Sequence, residues 1–496
     1  MHNTQKQIIQ QRYCIILEYT GYFISWLGLI MLLPLIILPF FRSEIYLAKY
    51  FIISAAISAS LGLSLRYIFK VKESDKDLKL HDAFMVITLV WCLIIGISSL
   101  PFIFSGHMRF IDALYESTSG WTTTGLSMMT ASKAPYLFLF WRSITQFIGG
   151  AGIAVIFLSS IAGISGLTAY QAEARSDRIV PNIKYTARII LKIYFGFFIV
   201  GTLLYLLCGM KLFDAVNHAM CSLSTGGFST KDASIGYWGK FSIEVVTICL
   251  MMAGSINFVN HYRLLSLKIK EGINDIELKC MAILILCFLP LVVNGLMKNI
   301  STSSLLSLRH GIFGMISSLS TAGFATSSFQ NWGGLAILSL TLLMIIGGST
   351  GSTAGGAKLL RLAACVKSIY WHLRKKINPE GAIFQNVVTQ RNQKIFLEEN
   401  HVIELFSFIM LYFLTYAIGV LTFVAHGFPV LESMFEFASS LSTVGVSIGL
   451  TQPLMPITCK IVQMVAMLLG RLEFLAIIYA GVRLFKDAHL IRSSIL

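Results

Sequence analysis

Ten apolar runs of about 20 residues, each long enough to cross a bilayer as a helix, alternate with polar segments along this 496-residue chain. They fall near 20–41, 50–69, 83–105, 136–161, 187–209, 241–260, 278–297, 333–348, 403–425 and 457–482. The eighth is short and ends in glycines. From the third run onward they pair, and each pair encloses mostly apolar and small residues, as in DALYESTSGWTT and ESMFEFASSLST. Such a stretch suffices for a helix of about three turns but not for a crossing, so each unit reads as span, re-entrant helix, polar turn, span. The pattern predicts an all-α polytopic membrane protein with four repeated units around a central pore and two extra N-terminal spans. The expected divisions are 1–72 for the N-terminal pair, then repeats at 73–175, 176–268, 269–375 and 376–496. The first run is too long for a signal h-region and is read as a retained span.

A glycine-bearing phrase closes each re-entrant stretch. The four copies are Thr122-Thr123-Thr124-Gly125, Ser224-Thr225-Gly226-Gly227, Ser320-Thr321-Ala322-Gly323 and Ser442-Thr443-Val444-Gly445. They recur at intervals of roughly a hundred residues, which makes nearly the whole chain one unit written four times. Thirteen positions ahead of each glycine stand Asp112, Asp214, His310 and Glu432. The acids lie in or beside the first helical turn, where negative charge suits the dipole, and we read them as helix caps. Two further matches to the phrase, at 117–120 and 352–355, lack that upstream residue. A single copy is better read as a helix C-cap with a left-handed glycine. Four copies at matching places point to the walls of a pore.

A helix that stops at mid-membrane aims a C-terminal partial charge of roughly half a unit at the axis, and four of them favour a cation there. Non-helical backbone at that depth is tolerated where it lines a water-filled cavity. Glycine lets successive carbonyls turn inward and replace a hydration shell. The phrases hold no carboxylate, so selection falls to carbonyls and the threonine hydroxyls.

Composition agrees: 55% of residues are hydrophobic, 13% are charged, and the mean hydropathy is +0.74. Most of the 39 lysines and arginines lie in the segments before the first run and after every second one. This places the N-terminus in the cytoplasm and the four phrases toward the outside. The net charge of +15 then reflects loops facing anionic lipid rather than a nucleic-acid surface. The nine cysteines are scattered without a Cys-x-x-Cys, and no His-Glu-x-x-His occurs, so neither a disulfide frame nor a metalloenzyme is expected.

Two features suggest a gate. The stretch 347–356 carries Gly347, Gly348, Gly351, Gly355 and Gly356, and each glycine costs a helix interior about 1 kcal/mol relative to alanine. We expect the helix to break there, beneath the phrases; a small-residue packing face is the alternative. Arg471 is expected to be the one basic side chain at membrane depth, where a charge is functional by default. A structural ion pair is the alternative, and Glu473 should face another way on a continuous helix. The segment 351–358 approaches a phosphate-binding loop, but its lysine is displaced and no strand precedes it. A secondary carrier remains the rival class, since broken helices also serve carriers; the parallel repeats favour a pore.

With these phrases, and with Gln146–Gly152, Gly347–Gly356 and Gly470-Arg471-Leu472-Glu473, the chain resembles the potassium-translocating subunits of the Trk/Ktr/HKT family. The two extra N-terminal spans match the bacterial Trk branch. The resemblance implies K⁺ uptake across the inner membrane through a selectivity filter at the four phrases, where glycine accompanies K⁺ preference and serine at the first position accompanies Na⁺ permeation. It also implies gating by the 347–356 loop and Arg471, a homodimer, and a separate cytoplasmic nucleotide-binding subunit of the TrkA type. No cofactor is expected in the chain itself, with K⁺ as the permeant ion and no enzymatic activity. Coupling of K⁺ to H⁺ or Na⁺ as a carrier is the alternative.

Overall fold

The computed structural model describes residues 2–72, 80–152, 183–267, 274–299, 303–379, 387–390, 393–396 and 399–493. Among them, six helical segments are long and apolar enough to cross a bilayer: Ile9–Ile37, Arg42–Ile68, Asp82–Phe104, Tyr185–Leu207, Ile276–Lys298 and His401–Ala425. The first two form an antiparallel pair held at close range by small residues. A Cβ at Gly28 would lie 2.9 Å from the Ala55 carbonyl, and Ser58 donates to the Ile24 carbonyl at 2.7 Å. Lipid supplies no hydrophobic drive between helices, so close backbone approach and such bonds do the joining.

The last four long segments each open a repeat. Each leads into a short helix that enters and stops: Phe110–Trp121, Leu212–Leu223, Ser304–Leu319 and Val430–Leu441. Three of them, at 12 residues, agree with the three turns read from the sequence, while Ser304–Leu319, at 16, is about a turn longer. Trp121 shows how the first is seated: its Nε1 donates to Ser98 Oγ at 2.9 Å on the preceding helix, while Trp141 on the following helix donates to the Ser98 carbonyl at 3.2 Å.

The second helix of three repeats departs from expectation. Three of the runs read as single spans stop early, at Ala151, Ser255 and Arg471, and the fourth ends at Ile346 as its glycines foretold. Phe241–Ser255 and Phe258–Leu265 meet at 108°, with Asn257 turning the chain by accepting from Val259 N–H. Ile457–Arg471 and Ala476–Leu490 meet at 103°. The latter break contains neither glycine nor proline; Glu473 and Phe474 both take φ of 57°. Tertiary contacts hold them there, Glu473 against Arg361 and Phe474 against Phe408 and Tyr412. The remainder of the run 136–161 lies outside the described residues, as do the 72/73, 175/176 and 268/269 divisions. A two-stranded antiparallel hairpin, Val387–Gln390 with Gln393–Phe396, is the one sheet among the described residues. It belongs to a segment for which the sequence predicted no strand.

Candidate functional site

The four re-entrant helices end identically. In each phrase the second residue, Thr123, Thr225, Thr321 or Thr443, takes φ of 56°, 52°, 54° or 51°. The next N–H then reaches back five residues: Thr124 to Ser119 O, Gly226 to Cys221 O, Ala322 to Ser317 O and Val444 to Ser439 O, at 2.8–2.9 Å. This is a helix C-cap of the Schellman type. The sequence reading placed the left-handed residue at glycine; the structure places a β-branched threonine there as well. A branched residue rarely adopts that region, and strain of this kind gathers at functional sites. The C-cap and the pore wall are thus one feature.

Beyond the cap the chain is extended, and Gly125, Gly227, Gly323 and Gly445 take φ of 93°, 78°, 76° and 100°. Each glycine abuts its neighbour in cyclic order. A Cβ on Gly125 would collide with the Gly226 carbonyl, on Gly227 with that of Ala322, on Gly323 with that of Val444, and on Gly445 with that of Thr124. The contacts therefore close a ring in which four backbones approach to a distance only glycine permits. All four glycines border an open cavity of about 620 Å³. The hydroxyls of Thr123 and Thr443 are buried without a hydrogen-bond partner among the described residues. Carbonyls, unsatisfied hydroxyls and four helix C-termini together make a site suited to a bare cation.

On the other side of the ring lies the glycine-rich loop. Its base closes on itself, with Ala357 and Lys358 N–H donating to the Ile345 and Ile346 carbonyls at 2.9 Å. It is a loop and not a packing face on a continuous helix: Gly347, Gly351 and Gly356 have φ of 72°, 67° and 78°. Its inner end touches three repeats. Thr353 meets Thr225 Oγ1 at 3.1 Å, Gly355 N–H donates to Thr321 Oγ1 at 2.8 Å, and a Cβ on Gly355 would collide with Thr443 Oγ1. Gly348 packs against Ser255. At the outer turn Thr350 donates through N–H and Oγ1 to Glu277 at 2.7 and 3.0 Å.

Arg471 ends the second helix of repeat four and crosses to the loop. Its guanidinium donates to the carbonyls of Thr353 at 3.0 Å and of Gly149 in repeat one. It is not the one basic side chain within the apolar runs. Arg142 and Lys460 are also buried within the apolar runs, paired with Glu116 and Asp112. Both sit near the start of their helices, so run hydropathy tolerated them. Glu473, expected on the same continuous helix, occupies the break and pairs with Arg361.

None of the four residues ahead of the phrases caps its helix, since the N-cap positions are Arg109, Lys211, Ser303 and Pro429; three of them hold other side chains instead. Asp112 reaches Lys460, Asp214 accepts from Thr230 Oγ1 at 2.5 Å, and His310 bonds Thr326 Oγ1 at 2.8 Å from inside its helix. Glu432 stands in the first turn. The sequence reading named Gln146 as the start of a landmark stretch but gave it no role; it is fully buried, its Nε2 donates to the Gly226 carbonyl and its Oε1 accepts from Phe228 N–H at 3.1 Å. It thereby clamps the second phrase from repeat one. A lone glutamine in an apolar run was the available signal.

Comparison with known proteins agrees with this geometry. The family model TrkH, described as cation transport protein, matches residues 48–490. An uncharacterized cation transporter of Methanocaldococcus jannaschii is 30% identical over 482 residues, covering 96% of this chain and 97% of the relative. The Trk system potassium uptake protein TrkG of Escherichia coli is 31% identical over 474 residues, covering 92% and 95%. The crystal structure of the potassium transporter TrkH from Vibrio parahaemolyticus superposes with a TM-score of 0.81 at 25% identity, covering 94% of this chain and 98% of that one.

Proposed function

Since this chain belongs to the TrkH family of cation transport proteins, we propose that it takes up K⁺ across the bacterial inner membrane through one pore per chain. The observation that carries the reading is the closed cyclic contact of the four glycines with the carbonyls of Thr124, Gly226, Ala322 and Val444. These carbonyls, with the threonine hydroxyls, form the selectivity filter, replacing the hydration shell of a K⁺ that enters through the adjoining cavity. The division into an N-terminal pair and four repeats follows from the same fourfold arrangement.

The loop 347–356 and Arg471 form the gate. The loop blocks the path sterically, and the guanidinium adds a barrier, since a unit charge about 4 Å from a cation costs roughly 4 kcal/mol at an effective dielectric near 20. The N-terminus lies in the cytoplasm, and a homodimer receives a TrkA-type nucleotide-binding subunit on that side. Reconstitution of the chain in proteoliposomes with opposed K⁺ and Na⁺ gradients tests the reading. Uptake of K⁺ in preference to Na⁺ is expected, and indifference between the two ions contradicts a filter.

A further inference from the structure

Four residues after Asp112, Asp214, His310 and Glu432, on the same helical face, stand Glu116, His218, Gly314 and Glu436. Two residues after the four ring glycines stand Ser127, Ser229, Ala325 and Ser447. The fold joins these two sets wherever both members are polar. Ser127 Oγ donates to Glu116 at 2.8 Å, and Ser447 Oγ donates to Glu436 at 2.7 Å. In repeat two His218 Nδ1 lies 2.7 Å from the Asp214 carbonyl, an acceptor only, so that nitrogen carries the proton and Nε2 accepts from Ser229 Oγ at 3.0 Å.

Each serine also accepts from the N–H two residues on: Met129 at 3.0 Å, Lys231 at 3.0 Å and Gly449 at 2.9 Å. The carboxylates take further backbone donors, Met128 N–H at 2.8 Å on Glu116, and Ile448 and Thr451 N–H at 3.0 Å each on Glu436. Glu116, His218 and Glu436 are all 1% exposed or less. Repeat three has neither partner. A Cβ on Gly314 would lie 2.5 Å from the Trp332 ring, which fills the space, and Ala325 N–H is taken by Ser234 Oγ of repeat two at 3.2 Å.

We propose that Glu116, His218 and Glu436 are positioning residues that fix the extended chain just beyond the ring glycines and so set the ion selectivity of three of the four walls. The inference rests on the filter reading above. A carbonyl ring discriminates between ions only if its oxygens hold their spacing, and the backbone that follows Gly125, Gly227 and Gly445 is anchored to the re-entrant helix through Glu116, His218 and Glu436. Buried donors and acceptors of this kind tolerate no vacancy, so loss of one partner releases the segment. The braces are unequal in charge. Arg142 lies 2.9 Å from Glu116, whereas Glu436 is held by neutral donors, so Glu436 leaves the larger negative potential beside the path.

The test uses the full chain in proteoliposomes, with K⁺/Na⁺ permeability ratio as readout. Glu436→Gln and Glu116→Gln turn one of the two acceptor oxygens into a donor and His218→Leu removes the imidazole, weakening the helix side of each brace; Ser447→Ala, Ser127→Ala and Ser229→Ala remove one hydroxyl each and carry the test where the first set does not fold. A fall of several-fold in the ratio is expected, larger for Glu436→Gln than for Glu116→Gln. Glu436→Asp should recover part of it, and Glu436→Gln combined with Ser447→Ala should be no worse than the more severe single change. Ala325→Ser, at the wall held instead by Ser317 Oγ donating to the Phe324 carbonyl and by His310 on Thr326 Oγ1, serves as the reference and should leave the ratio unchanged. Folded serine variants that keep the wild-type ratio overturn the braces while leaving the filter intact. If Gly125→Ser also leaves the ratio unchanged, the filter reading itself fails.

Discussion

Arg471 donates to the carbonyl of Thr353, 3.0 Å away, and so ties the end of the fourth repeat's second helix to the inner end of the third repeat's loop. The same guanidinium reaches Gly149 of repeat one. One side chain therefore contributes both a charge beneath the ring and a strap across three repeats. Arg471→Ala removes both and should raise K⁺ uptake about tenfold or more, given that each 1.4 kcal/mol of barrier is a factor of ten and the charge contributes several. Arg471→Lys keeps the charge but cannot span two carbonyls with a planar fork. Its uptake should fall between wild type and Arg471→Ala. Rb⁺ uptake at equal expression measures all three, and equal rates for a folded Arg471→Ala and wild type remove Arg471 from the gate.

The loop should respond differently. Deleting residues 350–354 takes away Thr353, its contacts to Leu223, Gly254 and Thr225, and the Thr350–Glu277 latch. A plug is indifferent to species, so flux of every permeant cation should rise together while the K⁺/Na⁺ ratio changes little. A folded deletion with unchanged flux would show that the path runs elsewhere.

Periodic repetition made much of this legible in advance. The re-entrant helices, the four phrases and the broken repeat-three helix follow from apolar run length and glycine placement, both local signals. Much of what escaped prediction depends on partners distant in the chain. Glu473 and Phe474 break a helix without glycine or proline because Arg361, Phe408 and Tyr412 hold them. Thr123 and its three counterparts take a left-handed conformation that propensity disfavours. Gln146, read only as part of a landmark, and Arg142 and Lys460, which were given no role, each satisfy a buried group on another element.

The purified chain should not bind adenine nucleotide by itself. The segment 351–358 that approaches a phosphate-binding loop has its Thr353 N–H committed to Gly254 and its Gly355 N–H to Thr321, so those donors do not form a phosphate cradle. Calorimetry with ATP on the chain alone should give no stoichiometric heat, and nucleotide-dependent flux should appear once the cytoplasmic subunit is added. A tight one-to-one isotherm for the chain alone would contradict the assignment of nucleotide sensing to a partner.

The ring makes the sharpest demand at Gly125. Its φ of 93° is strained for any residue with a Cβ, and that Cβ would collide with the carbonyl of Gly226. Gly125→Ser must therefore push back the wall that repeat two presents, which Gln146 clamps through the same carbonyl. With one oxygen displaced and a hydroxyl added, the site loses its fit to K⁺ and admits a smaller, more hydrated ion. The K⁺/Na⁺ permeability ratio should fall by about tenfold, equivalent to 1.4 kcal/mol of lost discrimination. Gly196→Ser is the matched control, because that glycine has open space around it and no positive φ; it should transport as wild type. An unchanged ratio in folded Gly125→Ser protein, beside a normal control, would remove the first phrase from the filter.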